Sequence, residues 1–266
     1  MDDIKSFYVH HADTISEKRI NSPYLLRKTV HQAQHDAVLA YVKPGMRVLD
    51  AGCGEGNLSI LMAKKGAQVI GVDISEPNIA ACKKLAEHES VQSVEFSTGD
   101  LENLDFPDNS FDLVVSSHVL EHLPDFDKGL AEMARVSKGR VAAAIPTVLS
   151  PCSWVQVGRG WFYLKGQRSF AAFIWGFLRM LGALILGREG VNETYGGADV
   201  PHVFRFPWIM KRKVRRLGLR LVRYEADSLC LPYFTFLEPA VRFLNRYRGA
   251  LVLRDCGYGT LYVIEK

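Results

Sequence analysis

Val48-Leu49-Asp50-Ala51-Gly52-Cys53-Gly54-Glu55-Gly56-Asn57 decides how this 266-residue chain folds. An apolar run, Arg47–Ala51, leads into it. A helical pattern of Leu58, Ile60, Leu61 and Ala63, closed by Gly66, leaves it, so the glycines occupy a strand-to-helix turn. Glycine lets the backbone turn tightly there and lets a ligand approach without meeting a Cβ. A Gly-x-Gly-x-x-Gly dinucleotide fingerprint would need glycine where Asn57 stands, and the chain has no Gly-Lys-Ser/Thr phosphate loop. With no pyrophosphate to hold, the turn suits a nucleoside carrying an amino-acid tail at the carboxyl edge of the first strand. Asp50, at the head of the turn, is suited to ordering the loop and meeting an ammonium through water.

Outward from this turn the chain alternates regularly. Strands are expected at Gln68–Val72, Val94–Ser97, Phe111–Ser116 and Arg140–Ile145, then at Leu219–Ala226 and Thr260–Ile264. Helices are expected at Pro77–Glu87, Leu130–Val136 and Trp208–Leu217. The N-terminal stretch to about Tyr41 is also expected to be helical, with Leu25, Leu26, Val30, Ala33, Ala37, Val38 and Tyr41 at helical spacing before Pro44-Gly45. Strands alternating with helices imply βαβ units and a parallel sheet covered on both faces. The expected fold is α/β: a doubly wound, Rossmann-like, seven-stranded sheet with an inserted helical or loop lid after the fifth strand. The corresponding parts are an N-terminal arm (1–41), a cofactor-binding core (42–146), an insertion (147–206) and a C-terminal completion of the sheet (207–266).

The flanking segments carry a resemblance. Val48–Gly56 is similar to motif I of the class I S-adenosylmethionine-dependent methyltransferases. Asp73 ends the second strand, and Thr98-Gly99-Asp100-Leu101 follows the third. Phe106–Asp112 resembles the turn into the fourth strand, and Ser116–Leu123 the segment after it. The good match covers roughly 40–146. The resemblance implies S-adenosyl-L-methionine as cofactor, held by Asp50, Gly52, Gly54, Gly56, Asp73, Ile74, Asp100, Leu101, Ser117 and His118. Asp73 would accept from both ribose hydroxyls and Asp100 from the adenine amine. Asp73 and Asp100 are also residue types that cap helices and order turns; their register with the glycine loop favours the binding role.

Methyl transfer by in-line displacement asks a protein mainly to position the acceptor and exclude water. An oxygen acceptor also gains from a general base. His118 and His122 lie one helical turn apart beyond the fourth strand, and His202 is a reserve; these three are the catalytic candidates. For His122 a capping or packing role is the stronger alternative. The Val119–Asp125 segment is similar to that of the ubiquinone-biosynthesis O-methyltransferases, some of which bind a divalent cation here. His118, Glu121 and His122 share a helix face and could form such a site, but His118 stands where that group has a carboxylate, and no metal is expected. Tyr195, Asp199, His202 and Arg205 are candidates for the acceptor pocket. Tyr8, His10 and His11 are candidates for folding over the cofactor.

Charge is unevenly divided. Residues 1–150 carry 15 Lys/Arg against 21 Asp/Glu, and residues 151–266 carry 18 against 8. The second half therefore suits an anionic partner or is a solvated basic face. Within it Phe170, Phe173, Ile174, Phe177, Leu178, Leu181, Leu184 and Ile185 form a helical stripe. That stripe is short for a membrane span and contains Arg179, so it suits either a lid or an interfacial helix, with Lys211–Arg216 helping at an anionic leaflet. Five scattered cysteines without a Cys-x-x-Cys pair, and an acidic rather than signal-like N-terminus, suit reduced cytoplasmic thiols. The expected function is methylation of a small, lipophilic or lipid-linked acceptor at oxygen. The expected setting is cytoplasmic, with peripheral association at the inner face of a membrane. The alternatives are an anionic or nucleic-acid acceptor and a non-catalytic cofactor-binding protein. No Asn/Asp-Pro-Pro-Tyr/Phe tetrapeptide follows the fourth strand and no RNA-binding module is visible, so nucleic acid is not an expected partner.

Overall fold

A computed structural model describes residues 2–10, 21–164, 166–195 and 200–266. Its strands are β1 (Arg47–Ala51), β2 (Gln68–Asp73), β3 (Val94–Thr98), β4 (Leu113–Ser117), β5 (Arg140–Pro146), β6 (Gly190–Tyr195), β7 (Val200–Arg205), β8 (Arg220–Ala226) and β9 (Gly259–Glu265). Its helices are α1 (Asp2–His10), α2 (Leu25–Leu39), α3 (Asn57–Lys64), α4 (Glu76–His88), α5 (Phe126–Val136), α6 (Pro151–Val157), α7 (Gln167–Ile185), α8 (Pro207–Arg216) and α9 (Glu238–Leu244). Seven strands form one sheet in the order β3-β2-β1-β4-β5-β9-β8.

The middle strands are buried on both faces, which is why they read as near-continuous apolar runs. Successive residues then serve opposite cores. Leu49, Val114 and Ile145 pack with Leu130, Met133 and Met210 from α5 and α8. Val48, Leu113, Val115 and Ala144 pack with Val38, Leu58, Met62 and Cys82 from α2, α3 and α4. Ser75 caps α4 by accepting from the Asn78 amide at 3.2 Å, and Asp125 caps α5 by accepting from Lys128 at 3.0 Å.

The expectation of a wholly parallel sheet needs correction at one edge. β9 runs antiparallel to both β5 and β8. β8 and β9 are therefore joined at one end, and the connection, residues 227–258, lies at the carboxyl edge of β5, where Pro146 pairs with Gly259 and Ala226 with Thr260. The insertion after β5 starts from that same edge. Both long excursions of the chain thus cover the edge where ligands bind in such sheets.

Two features inside these excursions were not expected. Residues 147–206 hold, besides helices, the antiparallel hairpin β6–β7, whose polar Asn192, Glu193 and Thr194 disguise it as loop. Cys152 and Cys230 form a disulfide joining α6 to the 227–258 connection, with Cα atoms 6.4 Å apart. The reading of five reduced thiols is corrected: Cys53, Cys82 and Cys256 remain free. Spacing could not reveal a pair separated by 78 residues.

Candidate active site

A cavity of ≈ 230 Å³ opens at the carboxyl edge of the sheet, between the β1–α3 turn, the ends of β2–β5 and the two excursions. Asp50, Gly52, Gly54, Asp73, Ile74, Asp100, Leu101, Ser117 and His118 all line it. Gly56 does not. It is the left-handed N-cap of α3 at φ +77°, and a Cβ there would lie 2.9 Å from Cys82 Sγ, so packing and turn geometry demand the glycine. Gly52, at φ +83°, does face the cavity; a Cβ on it would meet the Val119 methyls at 2.5 Å.

Carboxylates dominate one end. Asp73 accepts from the Gly54 amide and the Ser75 amide, each at 2.9 Å, so it holds the glycine loop in place. A carboxylate oxygen can accept more than one hydrogen bond, so this residue type also suits a ligand hydroxyl. Asp50 is buried and accepts from Ser59 Oγ at 2.5 Å. Burial, with Asp73 nearby, pushes its pKa up to about 6 despite that bond. Asp100 accepts from the Glu102 amide at 2.9 Å and pairs with Lys5 Nζ at 2.6 Å. Lys5 belongs to α1, which supplies Ile4, Lys5 and Tyr8 to the cavity wall. The N-terminal arm therefore reaches the site through Lys5 and Tyr8. His10 is not part of the lining, and His11 lies outside the described residues.

Histidines dominate the other end. His118, His122 and His202 all line the cavity and surround the fully buried Glu121. His118 leaves β4 in the left-handed region at φ +57°, a conformation uncommon outside glycine. Its Nε2 lies 2.6 Å from Asp227 Oδ2 and 2.8 Å from the Gln34 side-chain Nε2, and its Nδ1 faces Glu121 Oε1 at 3.6 Å. Burial alone would lower its pKa, but Asp227 and Glu121 outweigh it and raise the group to about 9. Burial would conversely raise Glu121, yet the adjacent His118, His122 and His202 hold it at about 2. His118 is thus clamped with both nitrogens turned to carboxylates, which favours its protonated form.

His122 and His202 stand differently. Their rings are 4.6 Å apart, and His202 Nε2 is 3.9 Å from Glu121 Oε1. The Tyr8 ring lies 5.7 Å from that of His122. His202 sits on β7, its amide donating to Asn192 Oδ1 on β6 at 3.1 Å, so the hairpin delivers it. Arg205 on the same strand turns away and lies over the Phe126 ring at 4.3 Å. Asp199 and the Tyr195 side chain lie outside the described residues.

Sequence reasoning missed several lining or supporting residues, among them Lys5 on α1, Gln34 on α2, Gln156 on α6, Asp227 after β8 and Tyr258 before β9. Asp227 is completely buried; one oxygen accepts from the Ser228 hydroxyl at 2.8 Å and the Gly259 amide at 2.9 Å. Its only local signal is an acid directly following an apolar strand.

Residues 49–144 match a protein-family model described as a methyltransferase domain. A ubiquinone biosynthesis O-methyltransferase from Hahella chejuensis is 43% identical over 96 residues, which is 36% of this chain and 40% of that protein. A demethylmenaquinone methyltransferase from Listeria welshimeri is 32% identical over 152 residues, 55% of this chain and 64% of that one. The chain spans less than two thirds of the length of the curated relatives it matches. Among solved structures, magnesium protoporphyrin IX methyltransferase from Synechocystis, with bound SAH, has the same fold. The TM-score is 0.60 at 18% identity, covering 100% of this chain and 99% of that one.

Proposed function

From the premise that this chain belongs, through residues 49–144, to the class I S-adenosylmethionine-dependent methyltransferases, we propose that it methylates a small, lipophilic or lipid-linked acceptor at oxygen. S-adenosylmethionine supplies, when bound, a methyl group made electrophilic by its sulfonium. The residues present fit that cofactor. Asp50, Asp73 and Asp100 suit a cationic ligand rich in hydroxyl and amine groups, and Gly54, at φ +52°, lines the cavity with open space where a Cβ would stand. Asp73 would take the ribose hydroxyls, and Asp100, with Leu101, the adenine edge.

The observation that carries the acceptor reading is the division of labour among the histidines. His118 is held protonated by Asp227 and Glu121 and therefore positions rather than deprotonates. Whichever of His122 and His202, beside the buried Glu121, is neutral when the acceptor binds supplies the proton acceptor that an oxygen nucleophile needs. Tyr258, Gln156 and the insertion close the acceptor end against water. Residues 147–206 act as the lid that selects the acceptor. A lipid-linked acceptor accords with a protein working peripherally at the inner face of a membrane.

Incubating the protein with methyl-labelled cofactor and a lipid extract, followed by mass spectrometry, tests the reading. Label in an ether or ester product soluble in organic solvent is expected. Label only in aqueous or nucleic-acid fractions would overturn the lipophilic acceptor, and cofactor binding without any labelled product would overturn catalysis.

A further inference from the structure

α7 presents two opposite faces. Ser169, Ala172, Gly176, Met180 and Ala183 are buried. They seat the helix on α6 at backbone contact: a Cβ on Gly176 would fall 1.7 Å from the Trp154 carbonyl oxygen, and one on Gly158 1.8 Å from that of Ala172. The other face carries Phe170, Ile174, Trp175, Leu178 and Ile185, all exposed, with Ile185 at 81%. Only 28% of the helix's 18-residue apolar window is buried, so this is no ordinary core helix. Nor can it cross a bilayer, because its other side is committed to α6. The charge that the sequence placed within the stripe is not on the outer face. Arg179 donates to the carbonyls of Val157 and Asn192.

A second segment extends the patch. Tyr233 donates its hydroxyl to the Ser169 carbonyl in the first turn of α7 at 2.7 Å, and its amide to Phe162 at 3.0 Å. Phe234 and Phe236, next in the chain, are exposed, Phe236 at 72%. The Cys152–Cys230 disulfide fixes this strap to α6. What covers so much apolar surface is indicated by charge. No Asp or Glu occurs between 151 and 188, whereas Arg168 and Arg188, at the two ends of the outer stripe, are exposed. Glu189, exposed beside Arg188, is itself engaged with Arg205 and Lys213 at 3.9 Å, so the rim keeps a net positive charge, which suits a negatively charged lipid surface.

We infer that the outer face of α7, extended by Phe234 and Phe236, lies in the plane of an anionic lipid leaflet, with Arg168 and Arg188 at the headgroups and Phe170 and Trp175 among the acyl chains. α6 connects this face to the cavity, which it enters through Gln156. An acceptor held in the leaflet therefore lies one helix away from the histidines. The inference deepens the lipophilic-acceptor reading and rests on it for its purpose, but its test involves no methyl transfer, so the two fail separately.

The test is sedimentation of the full chain with vesicles of phosphatidylcholine, with and without phosphatidylglycerol, alongside Trp fluorescence. Wild type is expected to sediment with the anionic vesicles, more weakly as salt rises, with a blue-shifted emission. Phe170→Asp with Trp175→Asp removes two inserted aromatics and should weaken partitioning by about a hundredfold. Both side chains are exposed, so the melting temperature should not move. Arg168→Glu with Arg188→Glu should abolish the preference for phosphatidylglycerol. Undiminished sedimentation of the aspartate variant would overturn the inference. So would equal binding to both vesicle types, or a lipid-free dimer that the aspartate variant splits, since a second copy would then cover the face.

Discussion

The two ends of the cavity are built by different means. The carboxylate end, proposed for the cofactor, comes from the ends of β1, β2 and β3, each acid lying about one βαβ unit from the next: Asp50, Asp73 and Asp100. The acceptor end gathers His118 and Glu121 from beyond β4, His202 from the hairpin, Asp227 from the β8–β9 connection and Gln34 from α2. One end is acidic and held mostly by nearby backbone amides and the Ser59 hydroxyl, with Lys5 as a distant partner. The other is assembled across 193 residues, from Gln34 to Asp227, and held by buried ion pairs. A site of this kind keeps its cofactor while its acceptor changes, because the second half can be rebuilt without disturbing the first.

Five measurements would break or sharpen that contrast. Replacing His122 and His202 together by Ala should lower turnover by about 10²–10⁴-fold, the usual range for losing a general base, while calorimetric cofactor affinity stays within about twofold. If affinity falls in step with turnover, the two ends are not separable. Replacing Cys152 and Cys230 by Ser should cost about 2–4 kcal/mol in denaturant unfolding, in keeping with a link closing a long loop. Titration of the unfolded wild type should count the three free thiols, Cys53, Cys82 and Cys256.

Asp73→Ala should weaken cofactor binding by about 30-fold, roughly 2 kcal/mol, since it loses charge-assisted bonds to the ligand and the anchor of the Gly54 amide. Unchanged affinity would remove Asp73 from the binding role. The smallest effect concerns pH. His118 is raised to about 9, so its stabilising contribution is full below the ordinary histidine value of 6.5 and is lost as pH rises through 9. Glu121, lowered to about 2, contributes above 4.5 and loses that contribution as pH falls toward 2. Asp227→Asn should lower the His118 titration, followed by NMR, by at least about one unit, or 1.4 kcal/mol. A titration that does not move would mean that Asp227 does not hold the ring.

The same contrast explains what could be read from the sequence. Gly52, Gly54, Asp73 and Asp100 could be placed at the cavity because each stands at a fixed distance past a strand end. Gly56 looked like part of the ligand loop, yet only the packing of Cys82 and Phe96 behind it reveals why it is glycine. His118, His122 and His202 could be named, but not ranked, because the carboxylates that fix their protonation come from elsewhere in the chain. The hairpin escaped notice because its polar strand residues break the apolar alternation on which strand reading relies. The antiparallel β9 could not be inferred from Thr260–Ile264 alone, since strand direction is set by the route of the 32-residue connection before it (227–258).

Gly52 has a consequence of its own. The space where its side chain would stand is filled by the two methyls of Val119, the residue next to His118. The two halves of the cavity therefore interlock at one point like adjoining stones, and neither position is free to vary alone. A larger residue at 52 would push Val119 outward and carry His118 away from Asp227, whereas a smaller one at 119 would leave the glycine turn without its backstop. Positions 52 and 119 should consequently change together, if at all, among chains built on this plan. Their joint variation would record how the distance between donor and acceptor has been preserved while the pocket beyond it was remodelled.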